Sequence, residues 1–284
     1  MDVSISIVSY NTRDLLKRCL ASVYKYTKNI KYEIIVVDNA SSDGTVEMVK
    51  DNFPKAKIVA NKTNVFYTTA NNQALKKTSG RYILILNSDT YFVDNSVKKM
   101  MDYMDRHENV GAAEGMEIYE DGKVVPTGSR KSTPLIDFYE LSLVGKRIQD
   151  KKLIKYYRIG SKSRRNNFEV DVACDAFIIV RGNLLKKIKG YNPALKLYYT
   201  ENDICRRIKG EGYKIMHLGD VKVMHSVSVS ANKLKWKKLD LYYLDLLNFY
   251  SISGKKPQGI ILFILLKLEE YILMFVRPGM FEKD

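Results

Sequence analysis

The stretch Ile83-Leu84-Ile85-Leu86-Asn87-Ser88-Asp89-Thr90 decides the fold class of this chain. It is a continuous apolar run that ends abruptly in polar side chains, one of which is a carboxylate. A run of this kind is typical of a strand that is buried on both faces of a parallel sheet. In open α/β sheets, ligands bind just beyond the carboxyl ends of such strands. Because an aspartate is a hard oxygen ligand, the stretch indicates a divalent metal that carries a diphosphate.

Strand and helix patterns alternate over the first 110 residues. Apolar runs predict strands at Val3–Ser9, Tyr32–Asp38, Lys57–Ala60 and Tyr82–Leu86. Apolar spacing and capping signals predict helices at Asp14–Tyr26, Asp43–Asp51, Asn71–Thr78 and Ser96–Arg106. Repeated strand–helix units form a parallel sheet with right-handed crossovers. We therefore predict an α/β fold.

The pattern is less regular beyond about residue 111. The segment Glu140–Arg165 is rich in lysine and arginine, and we expect a mobile or partly helical excursion there. The other predicted elements are strands at Val170–Arg181, Tyr213–Leu218 and Val221–His225, and helices at Gly182–Lys189, at Asn202–Glu211, from Lys233 onward and after Pro257. The last two helices predict a helical extension at the C-terminal end.

Composition limits the class of protein. A chain of 284 residues with 45% hydrophobic residues can bury one substantial core. The formal net charge of +15 favours anionic partners such as phosphates, nucleic acid or an acidic membrane face. Three widely spaced cysteines fit neither a disulfide framework nor a zinc site, and they indicate a reducing compartment. We expect no signal peptide and no bilayer span, because the nearest candidate, Ile260–Val276, is interrupted by Lys267, Glu269 and Glu270.

Polar residues follow three of the predicted strands. The first strand ends in Ser9-Tyr10-Asn11, the second in Asp38-Asn39-Ala40-Ser41 and the fourth in Asn87-Ser88-Asp89. Neighbouring parallel strands place such ends at one rim of the sheet, where we expect a small polar site. Turn capping is the alternative role for Asp38 and Asp43, because aspartate often bonds to the backbone of a turn.

Four segments of the chain resemble one known family. They are Val3–Asn11, Ile35–Thr45, Leu86–Thr90 and Leu197–Arg207. In order and spacing they resemble the signatures of family-two glycosyltransferases, most closely the rhamnosyltransferase-like branch. The resemblance implies inverting enzymes of the GT-A fold, in which a Rossmann-like, mixed and mainly parallel sheet is flanked by helices.

The resemblance also implies a division of the chain into domains. The GT-A domain would comprise 1–232, with a nucleotide-binding half at 1–110 and an acceptor and catalytic half at 111–232. A helical extension at 233–284 would follow, which we expect to associate with a membrane or with a second subunit.

The resemblance assigns the predicted rim to a nucleotide-sugar donor and a metal. It places Ser9, Tyr10 and Asp38 on the nucleotide base and ribose, and the aspartate can accept a hydrogen bond from a pyrimidine imide. The donor is thereby narrowed to a UDP or dTDP sugar. The triplet Asn87-Ser88-Asp89 matches the family's D-x-D element with asparagine at its first position. Asp89 is therefore the expected ligand of Mn²⁺ or Mg²⁺.

His225 is expected to assist at the metal. It ends a predicted strand at a position where the family often has a histidine that ligates the metal or contacts the diphosphate. An imidazole suits either task. A buried structural histidine is the alternative.

The segment Leu197–Arg207 resembles the acidic motif of the family. Its alignment places Glu201 at the position of the catalytic base and Arg207 at the motif's arginine, which we assign to the donor site. Asp203 is the reserve base, although its expected task is to order the start of a helix. Inverting transfer needs a carboxylate that activates the attacking hydroxyl and a cation that neutralises the departing diphosphate.

Two further segments depart from the family pattern. Asn64 and Asn71 are assigned to the donor site, but Phe66 stands between them where the family has a glycine that permits close approach to the ligand. Asp175 lies where the family usually has a small residue, and we expect it either to face the donor sugar or to pair with Arg181.

Two regions bear on the acceptor. The basic excursion Lys146–Arg165 favours an anionic membrane, where polyprenyl-linked acceptors reside, over a plain solvated surface or nucleic acid. Trp236 with the neighbouring Lys235, Lys237 and Lys238 is typical of interfacial helices. The apolar run Gly259–Leu266 has three open interpretations: an interfacial helix, a dimer contact, or a helix packed on the core.

These patterns converge on one expected function. It is a metal-dependent inverting glycosyltransferase that moves a sugar from a nucleoside diphosphate to a glycan or lipid-linked hydroxyl in cell-surface polysaccharide synthesis, peripheral at the cytoplasmic face of the membrane. A sugar nucleotidyltransferase is one alternative, but it needs a glycine-rich phosphate loop and Ser9–Arg13 has no glycine. The other is a basic membrane- or nucleic-acid-binding module with a degenerate site.

Overall fold

The computed structural model of the protein describes residues 1–226 and 237–276. The strands are β1 (Val3–Ser9), β2 (Tyr32–Asp38), β3 (Lys57–Ala60), β4 (Tyr82–Asn87), β5 (Thr90–Tyr91), β6 (Val110–Ile118), β7 (Phe168–Val170), β8 (Phe177–Arg181) and β9 (Lys214–His225). The helices are α1 (Arg13–Tyr26), α2 (Thr45–Asn52), α3 (Phe66–Leu75), α4 (Ser96–Arg106), α5 (Pro134–Leu141), α6 (Leu143–Ile148), α7 (Lys151–Tyr157), α8 (Gly182–Lys187), α9 (Thr200–Gly210), α10 (Lys237–Ile252) and α11 (Lys256–Val276).

The described strands form one mixed sheet in the order β3-β2-β1-β4-β8-β6-β9-β5, with β7 paired to β9. The first four of these strands are parallel, as predicted. Beyond them, β8 runs antiparallel to both β4 and β6, and β9 runs parallel to β6. Helices cover both faces, which confirms the predicted α/β class.

The predicted meeting of strand ends is confirmed by the register of the parallel strands. Ser9 at the end of β1 lies opposite Asp38 at the end of β2. On the other side of β1, Val8 lies opposite Asn87 at the end of β4. These strands are buried on both faces, so a shift of register would carry apolar side chains to solvent. The buried sheet therefore fixes the rim on which the polar residues stand.

The second half of the sheet differs from the prediction. The pattern did not predict β6, because its sequence Val-Gly-Ala-Ala-Glu-Gly-Met has glycines, small residues and a buried acid in place of a branched apolar run. Gly111 and Gly115 are needed there, since a Cβ would collide with Leu184 and Phe177 respectively. The two strands predicted between Tyr213 and His225 form a single strand, β9, whose pairing with β6 is interrupted by a bulge.

Three other predicted boundaries also move. The predicted strand Val170–Arg181 is two strands, β7 and β8, which a non-strand segment separates. Helix α3 begins at Phe66, earlier than predicted, because the N–H groups of Tyr67 and Thr68 bond to the carbonyl of Lys196 rather than within the helix. The basic excursion is partly helical as expected, and it contains α6 and α7.

The C-terminal helices α10 and α11 pack on each other and on the segment before α9. Their shared apolar cluster contains Leu195, Tyr199, Leu246, Phe249 and Leu266. Within the described residues, no helix is long and apolar enough to cross a bilayer. The predicted domain boundary at 232, Lys235 and Trp236 lie outside the described residues, as do the side chains of Lys237 and Lys238.

Candidate active site

A cavity of about 350 Å³ opens at the carboxyl ends of β1 and β4. Its lining includes seven of the residues that the sequence assigns to the site. They are Tyr10, Asn64, Asn87, Ser88, Asp89, Asp175 and His225. Residues from both halves of the chain therefore meet at one cavity, although Tyr10 and His225 are 215 positions apart in sequence.

The end of β1 is tied to the end of β4 by a chain of hydroxyl groups. The Ser9 and Thr12 oxygens are 2.9 Å apart, and the Thr12 and Ser88 oxygens are also 2.9 Å apart. Ser9 is buried, and its hydroxyl belongs to this chain. It is not among the residues that line the cavity. Its contribution is to hold Tyr10 and Ser88 at the rim.

Asp38 keeps one carboxylate oxygen available. Its Oδ2 accepts a hydrogen bond of 2.9 Å from the Ser41 N–H, which is the turn-capping role considered above. Its Oδ1 is buried and has no hydrogen-bond partner among the described residues. A buried acceptor without a hydrogen-bond partner destabilises the folded protein. This oxygen is therefore suited to accept a hydrogen bond from an N–H group of a ligand.

The loop before α3 forms another wall of the cavity. Phe66 has φ of 63°, in the left-handed region that favours glycine. The Asn64 side-chain oxygen accepts a hydrogen bond of 2.9 Å from the Phe66 N–H and holds this turn. The Lys196 ammonium lies 4.9 Å from the centre of the Phe66 ring. The backbone thus keeps the conformation of a glycine while a phenyl ring occupies the cavity wall.

Asp89, His225 and Glu117 form a connected set at the cavity. His225 Nε2 lies 3.3 Å from Asp89 Oδ1, and His225 Nδ1 lies 2.6 Å from Glu117 Oε2. Burial alone would lower the pKa of His225, but its contacts with Asp89 and Glu117 raise it to about 10. The sequence analysis missed Glu117, because its strand β6 was not predicted. An acidic residue within a run of glycines and apolar residues was the signal available in the sequence.

The same set fits a divalent cation. An Asp89 oxygen and the facing His225 nitrogen supply one hard and one borderline ligand, and a cation bound there would displace the proton from His225 Nε2. The described residues contain no group of three or more His, Cys, Asp or Glu side chains arranged to hold a metal. Two protein ligands suffice for Mg²⁺ or Mn²⁺ when a diphosphate and waters complete the coordination.

A second acidic pair lies at the start of α9. Thr200 Oγ1 is 3.0 Å from Asp175 Oδ2 and 3.1 Å from Glu201 Oε2, so one hydroxyl bridges the two carboxyl groups. Burial and the neighbouring Glu201 raise the pKa of Asp175 to about 7. Burial also raises the pKa of Glu201, and Asp245 contributes to this shift. The pair is therefore arranged to hold a proton near neutral pH.

Asp175 belongs to the cavity rather than to Arg181. Its carboxylate accepts a hydrogen bond of 3.3 Å from the Tyr191 hydroxyl, and its side chain lines the cavity. Arg181 instead donates to the backbone carbonyls of Val110, Met104 and His107. The expected alternative pairing with Arg181 was wrong.

Like Ser9, Asp38 and Glu201 are not among the residues that line the cavity. Three further residues named for the site also lie away from the cavity and are held by internal contacts. Asp203 is fully buried and bonds to Arg206 and Arg207 at 2.7 Å each, which leaves it no role as a reserve base. Arg207 also donates to the Ile188 carbonyl at 2.6 Å, so it braces the helix and not the donor. The buried Asn71 amide accepts from Ser6 and donates to Tyr67, which makes it a packing residue.

The C-terminal helix α10 reaches the site through a residue that the sequence analysis did not single out. The Asp245 carboxylate is fully buried and accepts three backbone hydrogen bonds of 2.8–2.9 Å from the N–H groups of residues 196–198. This loop leads directly into Glu201, and its Leu197 lines the cavity. Only the tertiary fold brings Asp245 to the loop.

Comparison with known proteins identifies the family. The sequence profile described as Glycosyl transferase family 2 matches residues 4–188. The chain belongs to this family. It is 32% identical over 139 residues to an Escherichia coli UDP-Glc:α-D-GlcNAc-diphosphoundecaprenol β-1,3-glucosyltransferase, over 48% of this chain and 53% of that enzyme. The match thus spans about half the length of that relative.

A relative and a solved structure match more of the chain. A Mycobacterium tuberculosis N-acetylglucosaminyl-diphospho-decaprenol L-rhamnosyltransferase is 20% identical over 237 residues, 80% of this chain and 76% of that enzyme. The crystal structure of GalNAc-T7 with UDP, GalNAc and Mn²⁺ superposes with a TM-score of 0.59 and 17% identity, covering 79% of this chain and 44% of that one. The predicted GT-A fold is confirmed.

Proposed function

We propose that this family 2 protein is a metal-dependent inverting glycosyltransferase. It transfers a sugar from a UDP or dTDP donor to a hydroxyl of a glycan or lipid-linked acceptor in cell-surface polysaccharide synthesis. The observation that carries the proposal is that one cavity is lined by Asp89 with His225 and by Asp175, which Thr200 connects to Glu201.

The donor is assigned from the rim of the parallel strands. The unpaired Oδ1 of Asp38 is suited to a pyrimidine imide N–H. Asp38 lies opposite Ser9 in the sheet, and the next residue, Tyr10, lines the cavity. In support, the related GalNAc-T7 was crystallised with UDP and Mn²⁺. Asp89 and His225 would hold the cation, which supplies positive charge against the departing diphosphate.

The carboxyl pair supplies the base. The acceptor hydroxyl oxygen forms a bond to the anomeric carbon while its proton passes to the pair formed by Glu201 and Asp175. The bond from the anomeric carbon to the diphosphate oxygen breaks on the opposite side, which inverts the configuration. A raised pKa makes the pair a better proton acceptor than an ordinary carboxylate. The motif resemblance favours Glu201 as the base, and the Thr200 bridge makes Asp175 its partner.

The acceptor class is taken from the relatives. The E. coli and M. tuberculosis enzymes named above act on sugars linked to diphosphoundecaprenol and diphospho-decaprenol. Since this chain also carries a net charge of +15, a polyprenyl-diphosphate-linked glycan is a fitting acceptor. A binding module with a degenerate site is not favoured, because Asp89 and Asp175 line the cavity and Thr200 connects Asp175 to Glu201.

A thermal-shift screen of nucleoside diphosphates and their sugars, with and without Mn²⁺, tests this function. We expect UDP or dTDP to raise the melting temperature only when Mn²⁺ is present, and ADP or GDP to have a much smaller effect. A purine preference would contradict the role of Asp38. Stabilisation that does not depend on metal would contradict the role of Asp89.

A further inference from the structure

Helix α11 presents an apolar stripe to solvent. Six side chains on it are 47–68% exposed, namely Ile261, Ile264, Leu265, Leu268, Tyr271 and Ile272. At 3.6 residues per turn they fall within roughly 120° of the helix circumference. The opposite side is buried, since Leu262 and Leu266 pack into the cluster shared with α10. Exposed apolar area of this extent on one helix indicates an interaction surface.

The charged residues of α11 are kept away from this stripe. Lys267 pairs with Asp240 at 3.2 Å and with Glu270 at 2.9 Å. Glu269 accepts a hydrogen bond of 2.9 Å from the Val144 N–H. The charged residues that interrupt the apolar sequence of α11 therefore lie on the side of the helix that faces the protein.

The Glu269 contact places α6 beside the apolar stripe of α11. Val144 lies on α6, where Leu143, Val144 and Ile148 are 49%, 56% and 62% exposed. We call these three residues together with the six of α11 the outer apolar face. The structure thus joins two features whose contacting residues are 125 positions apart in sequence.

The segment that contains α6 is rich in cations. The segment 143–165 has nine Lys or Arg residues and a single acid, Asp150. Five exposed cations in it have no ion-pair partner among the described residues: Lys146, Arg147, Lys151, Lys152 and Lys155. Apolar side chains beside unpaired lysines and arginines are the features of surfaces that lie in the interface of anionic bilayers.

We propose that the outer apolar face docks on the headgroup region of an anionic lipid bilayer. The apolar side chains enter the boundary between headgroups and acyl chains, and the unpaired cations of α6 and α7 bind lipid phosphates. A second copy of the chain is disfavoured as the occupant, because pairing this face with itself would bring the same uncompensated cations together. The choice of a membrane rests in part on the proposed function, whose lipid-linked acceptors lie at such a surface.

The face is connected to the cavity through packed side chains. Leu262 and Leu266 of α11 pack against α10, and Asp245 of α10 holds the loop that leads into Glu201. A bilayer bound by α11 would therefore keep a fixed relation to the acceptor side of the cavity. That arrangement suits an acceptor whose sugar projects from the lipid surface.

Co-sedimentation with vesicles tests the inference. The full chain is mixed with phosphatidylcholine vesicles that contain either no anionic lipid or one-third phosphatidylglycerol. We expect binding to the anionic vesicles that weakens at high salt, and a partition coefficient at least tenfold lower for the double variant Ile264→Glu/Leu268→Glu. Lys151→Glu/Lys152→Glu should lower it about tenfold on anionic vesicles.

Matched controls use exposed positions elsewhere. Val93→Glu adds a charge at another exposed apolar residue, and Lys17→Glu/Lys50→Glu reverses two exposed lysines on α1 and α2. Both should bind vesicles like the wild type. Equal binding by all variants, or no binding by the wild type, would overturn the inference. So would a wild-type dimer that Ile264→Glu/Leu268→Glu dissociates without any vesicle binding.

Hydrolysis of the donor in the absence of vesicles separates this inference from the proposed function. The outer-face variants should hydrolyse UDP-sugar at the wild-type rate. If hydrolysis is absent in every protein while vesicle binding behaves as expected, the proposed function fails and the docking surface stands.

Discussion

The two sides of the cavity are built by different means. On the nucleotide side, parallel strands in fixed register place Tyr10, Asp38 and Asp89 at one rim. On the acceptor side, Glu201 follows a loop that is held by a side chain of a distant helix, Asp245. Backbone pairing is difficult to perturb with a single substitution, whereas the second arrangement depends on one carboxylate. Single substitutions on the nucleotide side should therefore lower turnover with less loss of folding stability than single substitutions on the acceptor side.

The largest effect is expected on the nucleotide side. Asp89→Asn removes the charged oxygen that faces His225, and we expect turnover to fall by about three orders of magnitude, because a catalytic cation supplies several kcal/mol. The melting temperature without ligand should change by only a few degrees. Turnover with UDP-sugar at saturating Mn²⁺ is the measurement. Asp94→Asn, at an ion-paired carboxylate outside the cavity, is the control.

The acidic pair on the acceptor side should give the next effect. We expect Glu201→Gln and Asp175→Asn to lower kcat by about 10²- to 10⁴-fold with little change in donor KM, since general-base catalysis contributes that much. The variant with the larger loss identifies the residue that takes the proton. Unchanged kcat in both variants would remove the pair from the mechanism.

The pH dependence of turnover follows from the same pair. Its carboxylate must be ionised to accept a proton, and the pKa of Asp175 is about 7. We therefore expect kcat to fall as the pH drops through about 7, well above the range in which an ordinary aspartate titrates. In Asp175→Asn the remaining Glu201 loses a negative neighbour, so the midpoint should move to lower pH. An identical profile in wild type and variant would show that the two groups do not interact.

Loss of the Asp245 carboxylate, which holds the loop before α9, should have a moderate effect on both activity and stability. Asp245→Asn replaces one acceptor oxygen by a donor and leaves one or two buried N–H groups unpaired, at a cost of about 1–3 kcal/mol each. We expect kcat to fall about tenfold, donor KM to change little, and the melting temperature to fall by several degrees. Asp240→Asn on the same helix is the matched control, because Asp240 is exposed. A drop in melting temperature with full kcat would make Asp245 structural only.

The smallest effect concerns Phe66. Alanine is normally more stabilising than glycine, but at φ of 63° an L-residue is disfavoured by about 1–2 kcal/mol. We therefore expect Phe66→Gly to melt a few degrees above Phe66→Ala. Scanning calorimetry of the two variants is the measurement, and the opposite order would mean that the left-handed turn relaxes when the ring is removed.

The sequence predicts the nucleotide side well, for a physical reason. Continuous apolar runs fix which strands are buried and parallel, and burial fixes their register, so the polar residues that follow Val8, Val37 and Leu86 had to meet. The local pattern carries all of this information. The pattern accordingly predicts Tyr10, Ser88 and Asp89 as site residues, and all three line the cavity.

The acidic network at the metal and the acceptor side were less predictable, because their contacts are made between side chains that are far apart in sequence. Glu117 lies on a strand whose glycines and alanines obscure the alternation of side chains that predicts a strand. Asp245 lies on a helix whose sequence contains no recognised motif. Asp203 and Arg207 match a motif but serve to brace α9. A motif can thus locate the right helix and still misassign the residues that face the cavity.

Electron paramagnetic resonance of Mn²⁺ tests the central claim most directly, because it reports bound and free metal without requiring the acceptor. The account predicts that UDP increases the affinity of the wild type for Mn²⁺ at least tenfold and that Asp89→Asn abolishes this increase, while Asp94→Asn retains it. If Asp89→Asn binds Mn²⁺ and UDP together as tightly as the wild type, the cavity at the ends of β1 and β4 is not the donor site.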